Sequence, residues 1–178
     1  MPSSELFRRA VHLEDDNPDA ALRLYLQLLD EDDKHVSAYV NAGTIYYNKR
    51  NFVKAEECYL NAIHIDPKYA LAYFDLANVY DEVGRTGTAI KMYEKALKID
   101  PDYADAHYNL AIVCGNTGER RKALIHFQAY VKLDTQGVWA DHARNVISKL
   151  TVNDPLRVVC TNANPRRTKR RAKLVLIK

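Results

Sequence analysis

Residues 70–103 read ALAYFDLANVYDEVGRTGTAIKMYEKALKIDPDY, and their landmarks recur at a distance of 34 residues. Tyr73, Ala77, Tyr80, Ala89, Tyr93, Ala96 and Pro101 follow Tyr39, Gly43, Tyr46, Ala55, Tyr59, Ala62 and Pro67 by that interval. A third copy supplies His107, Ala111, Cys114, Ala123, Phe127 and Tyr130, with Thr135 where proline would stand. A period of this length marks stacked helical hairpins, none of which can bury its apolar face alone. Within one copy, Tyr73, Leu76, Ala77 and Tyr80 share one helical face, as do Ala89, Tyr93 and Ala96 in the next helix. Gly84 and Gly118 end the first helices, because a left-handed C-cap needs no side chain. Asp66-Pro67 and Asp100-Pro101 end the second ones, since the residue before proline is pushed out of the helical region. No segment sustains the alternation that a strand requires.

The spaced pattern (a large residue, Leu-Gly/Ala, Tyr, then Ala-x3-Phe/Tyr and Pro) resembles the tetratricopeptide repeat (TPR) family. It is well kept at 36–69 and 70–103, and kept at 104–137 except for the final proline. The resemblance implies an all-α, right-handed α-solenoid of helical hairpins with a C-terminal capping helix. Residues 3–35 form a degenerate first hairpin, in which Ala21, Tyr25 and Leu28 reproduce the second helix. An unbroken frame would place Glu5, Arg8, Arg9 and His12 in the core of the helix before it. Shortening the turn at Asn17-Pro18 by one residue turns Leu6, Ala10 and Leu13 inward instead, and avoids burying unpaired charge. After Gln136-Gly137, residues 138–150 read as one amphipathic helix. Trp139, His142, Ala143, Val146, Ile147 and Leu150 lie on one side of it, with Arg144, Asn145 and Lys149 on another.

Charge divides the chain. Residues 151–178 hold eight Lys and Arg against Asp154 alone, leaving 18 basic and 22 acidic residues in 1–150, so the body is −4 and the tail +7. Turn signals at Asn153-Asp154-Pro155 and Asn162–Pro165 precede the basic run Arg166, Arg167, Lys169, Arg170, Arg171 and Lys173. Phosphate contact with nucleic acid, an anionic surface or a nuclear-import signal are its functional readings, against a disordered solubilising tail. It lacks the interleaved aromatics that stack on bases. The start, Met1 to Asp16, is charged and reads as no signal peptide, and no apolar run approaches a membrane span. Three cysteines, with no CxxC pair, read as reduced thiols of a cytoplasmic protein.

The six histidines form no HExxH and no metal-spaced cluster, and no phosphate loop, GxGxxG or GxSxG is present. The expectation is therefore a non-catalytic protein without a cofactor. What the resemblance implies is a concave binding face lined by first helices, holding an extended peptide or a helix of a partner protein. Mapped onto this chain, that face comprises Asn41, Thr44, Tyr47 and Asn48; then Phe74, Asp75, Asn78 and Asp81; then Tyr108, Asn109 and Asn116. Asn41, Asp75 and Asn109 recur at one repeat position. A carboxamide both donates to and accepts from a peptide backbone, so this ladder suits an extended ligand of loosely specified sequence, with Tyr47, Phe74 and Tyr108 as apolar anchors. The competing reading is an ordinary solvated face. Chaperone-binding members of the family hold a terminal carboxylate with Lys and Arg. The second and third clear repeats offer neither at these positions, so an acidic C-terminal ligand is disfavoured. The runner-up function is a nucleic-acid-associated protein whose tail contacts phosphates.

Overall fold

A computed structural model describes residues 3–151, so the basic tail expected at 151–178 lies outside the described residues from 152 onward. All regular structure among the described residues is helical. Nine helices follow in order there: α1 (Ser3–Leu13), α2 (Pro18–Glu31), α3 (Val36–Asn48), α4 (Phe52–Ile65), α5 (Ala70–Glu82), α6 (Thr86–Ile99), α7 (Ala104–Asn116), α8 (Arg120–Leu133) and α9 (Val138–Thr151). They fall into two compact units, divided after Val79 within α5.

In the N-terminal unit α1 packs on α2, α2 on α3 and α3 on α4. The expected one-residue shift holds: Leu6 and Ala10 are buried while Arg8, Arg9 and His12 are exposed. Asn17 caps α2 by accepting the Ala20 N–H on its side chain, with Pro18 supplying the preset φ of a first helical residue. α3 approaches α4 closely at Gly43, where an added Cβ would stand 2.7 Å from the buried Tyr59 ring. A glycine is required there by the approach of the helices, not by a turn.

In the C-terminal unit α6 packs on α7, α7 on α8 and α8 on α9. Across both units the second helices keep the same two landmarks inside. Ala21, Ala55, Ala89 and Ala123 are fully buried, as are Tyr25, Tyr59, Tyr93 and Phe127. An alanine lets the neighbouring helix approach and an aromatic four residues on fills the space beside it, which is interlocking of small and large side chains at native packing density.

The turns repeat as faithfully as the core. The first helix of each of the three clear copies is followed by a residue at positive φ, namely Arg50 (59°), Gly84 (76°) and Gly118 (82°). The N–H of the next residue then donates back to the helix: Asn51 to Tyr46, Arg85 to Tyr80 and Glu119 to Cys114, at 2.8–2.9 Å. Glycine is thus not obligatory at this position: Arg50 takes the same left-handed conformation with a side chain attached. The second helices end at Asp32, Asp66, Asp100 and Asp134, all extended. In the first three, the carboxylate accepts the N–H two residues on. At the fourth the carboxylate instead accepts the Tyr130 hydroxyl at 2.7 Å. The turn without a proline at 135 thus departs from the other three, since Asp134 bonds back to its own helix rather than forward across the turn.

Candidate functional site

Three first helices, α3, α5 and α7, carry the residues expected to line a binding face. On α3 the structure divides them. Asn41 is only 6% exposed and its amide donates to the Tyr25 hydroxyl at 2.9 Å. That hydroxyl in turn donates to the Glu14 carboxylate. Burial, with the Glu14 carboxylate beside it, drives the Tyr25 hydroxyl well above the ordinary phenol range and keeps it protonated. Asn41 thus belongs to a chain of hydrogen bonds linking the turn after α1 with α2 and α3. Thr44 and Tyr47 are half-buried and Asn48 is exposed. Thr44 and the Tyr59 hydroxyl lie 3.4 Å apart, and the Tyr47 ring meets Phe52 edge-on at 5.7 Å between centroids.

On α5 the expected residues Phe74, Asp75 and Asn78 are all buried, Asp75 to 1% exposure, and Asp81 is half-buried. On α7, Asn109 is buried and Asn116 exposed. Tyr108, expected as an apolar anchor, is already covered. Its ring lies edge-on to Phe127, Tyr130 and Trp139, with centroids 5.0–5.8 Å away, and its hydroxyl is 2.9 Å from His142 Nδ1. The C-terminal helix α9 therefore occupies the side of Tyr108 where a ligand was expected.

Asn41, Asp75 and Asn109, expected as a ladder for a peptide backbone, are thus each buried in their own unit. The physical reason is legible in the repeat itself. Each ladder residue stands 16 positions after a second-helix aromatic: Tyr25 before Asn41, Tyr59 before Asp75, Tyr93 before Asn109. In the first pair the tyrosine hydroxyl and the amide are bonded. In the fourth instance the aromatic is Phe127, which has no hydroxyl, and the residue 16 positions on is Ala143, fully buried. The first pair thus satisfies two buried polar groups at once, and in the fourth both partners are apolar.

Sequence reasoning passed over a second cluster, in the C-terminal unit. His107 Nδ1 lies 2.9 Å from His126 Nδ1, and His107 Nε2 lies 2.9 Å from the Pro101 carbonyl oxygen. Beside them Lys122 bridges to Glu94 at 2.7 Å and to Glu119 at 3.6 Å. Nineteen positions separate the two histidines, so no motif scan joins them. Their shared direction follows only from the pairing of α7 with α8. Cys58 and Cys114 are free and buried, and burial pushes both thiols up to about 11, which suppresses the nucleophilic thiolate. Among the described residues no group of three or more His, Cys, Asp or Glu side chains could hold a metal ion, and no helix is long and apolar enough to cross a membrane.

Three family models match the chain: two described as tetratricopeptide repeat, over residues 36–69 and 58–91, and one described as TPR repeat, over 82–118. The first of these spans coincides with the copy at 36–69, and the other two straddle the later copies. No curated protein is significantly similar to the chain. Solved structures share its fold at low identity. The pilF protein of Pseudomonas aeruginosa superposes with a TM-score of 0.72 at 16% identity, covering 83% of this chain and 72% of that one. A thermophilic TPR protein of Thermus thermophilus, TTC0263, gives 0.66 at 21%, covering 83% and 80%. The TPR domain of Arabidopsis OM64 gives 0.60 at 21%, covering 64% and 94%.

Proposed function

From the premise that this chain is a tetratricopeptide repeat protein, we propose that it is a non-catalytic adaptor holding a peptide or helix of a partner protein. The observation that carries the reading is the exposed part of α3 in the N-terminal unit. There Thr44, Tyr47 and Asn48 stay accessible above a floor sealed by Tyr25 and Tyr59. Tyr47 is braced by Phe52, so its ring is ordered before a ligand arrives and little rotamer entropy is lost on binding. An ordered aromatic beside a hydroxyl and an amide is the composition of a peptide-anchoring surface, with the ring supplying area and the polar groups meeting the ligand backbone. The buried ladder supports this face from behind: Asn41 fixes α3 against α2 rather than touching the ligand. In the C-terminal unit Asp81 and Asn116 are the expected residues still accessible. The buried free thiols are compatible with a reducing compartment such as the cytoplasm.

The test is selection of a displayed random-peptide library against the intact chain. Selected peptides are expected to lose at least about tenfold in affinity on Tyr47→Ala, the order expected when an ordered aromatic anchor is truncated. Undiminished binding to Tyr47→Ala and to Thr44→Ala, with helicity unchanged by circular dichroism, would place the ligand elsewhere and overturn this assignment of the face.

A further inference from the structure

We propose that His107 and His126 form an acid-release latch between α7 and α8, which holds while the two imidazoles share at most one added proton and parts when both are charged. The tautomers follow from the geometry. A carbonyl oxygen only accepts, so the Pro101 carbonyl fixes the proton of His107 on Nε2 and leaves its Nδ1 bare. His126 Nδ1, 2.9 Å away, is then the donor to it. The ring centroids are 5.2 Å apart, a separation that exceeds the N–N distance by little more than the two ring radii, so the nitrogens meet head-on. A first added proton leaves both outer Nε2 positions protonated and one proton shared between the facing Nδ1 atoms, so the bond between the rings is kept. A second added proton sets two N–H groups against each other between the rings and two positive charges side by side.

The place of the pair in the repeat makes it distinctive. At the two corresponding positions the earlier copies carry Tyr39 with Cys58, and Tyr73 with Met92. None of those side chains gains positive charge as the pH falls, whereas both histidines do. The groups facing His126 are Lys122 from its own helix, Glu94 from α6 and His107 from α7, while α9 contributes His142, which is bonded to Tyr108. Burial first, then the charges of His107 and Lys122, push His126 down to about 4, with Glu94 opposing weakly. His126 is thus neutral in the fold at pH values where it would be charged in the unfolded chain. Its contribution to stability is complete above the ordinary imidazole range near 6.5 and is lost as pH falls toward about 4.

The experiment uses the intact chain. Imidazole ¹⁵N shifts would be followed from about pH 7 to about pH 4, the window set by the unfolded and folded imidazole affinities, together with hydrogen exchange corrected for its intrinsic pH dependence. The latch predicts that His107 keeps its Nε2–H tautomer at neutral pH. It also predicts that the protection of α7 and α8 falls about tenfold more than that of α3 and α4 across the window, as expected of sub-global opening of one hairpin. His126→Met, which restores the residue of the preceding copy, should abolish the excess loss. The proposal is overturned if His126→Met loses protection as the wild type does, or if both rings titrate independently near the ordinary value. The wild-type titration decides the matter by itself should the variant not fold.

Discussion

At the scale of single residues, the most informative departure from the pattern is Arg50. Its φ of 59° is one that the later copies assign to Gly84 and Gly118. A side chain in that region is strained by contact of its Cβ with the backbone, at about 1 kcal/mol or somewhat more. The guanidinium lies 5.1 Å from the centre of the Phe52 ring, and the cation–π attraction returns part of that cost. Arg50→Gly is accordingly expected to stabilise the chain by about 0.5 kcal/mol, read as a raised denaturation midpoint with an unchanged slope. A lowered midpoint would mean that Arg50 contributes more through its contacts than its backbone loses.

Among the elements, the α3–α4 pair and α9 show opposite uses of the same repeat positions. Gly43 lets α3 close on the Tyr59 ring where the other copies place Ala77 and Ala111. Gly43→Ala gains about 1 kcal/mol of helix propensity. The new methyl would meet Tyr59 at 2.7 Å and Cys58 Cβ at 3.1 Å, and Tyr59 is fully buried with no room to yield. The net expectation is destabilisation by about 1–2 kcal/mol, since overpacking outweighs propensity; a thermal midpoint that rises instead would refute it. α9 occupies the first-helix register of a further copy. The α7 residues Leu110, Ala111 and Cys114, all fully buried, correspond to Arg144, Asn145 and Ser148, all exposed. Asp141, in the place of His107, pairs with Arg144 at 2.8 Å. One side of α9 therefore packs as a repeat helix, against Tyr108 and Phe127, while the side that would receive a second helix is polar.

For the molecule as a whole, charge is the property that composition alone determines. The body is −4 and residues 151–178 are +7. If the tail contacts phosphates, the intact chain should bind a heparin column and elute at moderate salt, whereas 1–151 should pass through. The slope of log affinity against log salt should approach about 0.9 for each phosphate neutralised on duplex DNA. Equal behaviour of the two forms would assign the tail no electrostatic role. This outcome is separable from the peptide reading, because the α3 face and the tail can be altered independently.

The 34-residue period by itself determined the helices, their caps and the buried small and aromatic positions, because those depend on local periodicity and on packing that every copy repeats. The register of α1 came from charge rather than from the period, since the unbroken frame would have buried Arg8 and Arg9. Accessibility was decided only by the tertiary structure. Asn41 and Tyr108 have the residue types of a ligand surface, yet one is bonded to Tyr25 and the other is covered by Trp139 of α9. The His107–His126 pair was equally invisible in the chain, as it exists only where α7 and α8 bring two ring nitrogens to 2.9 Å. Sequence spacing fixes which face of a helix a residue occupies. What stands opposite that face is set by contacts between helices, and those contacts decide whether a polar side chain meets a ligand or holds the fold together.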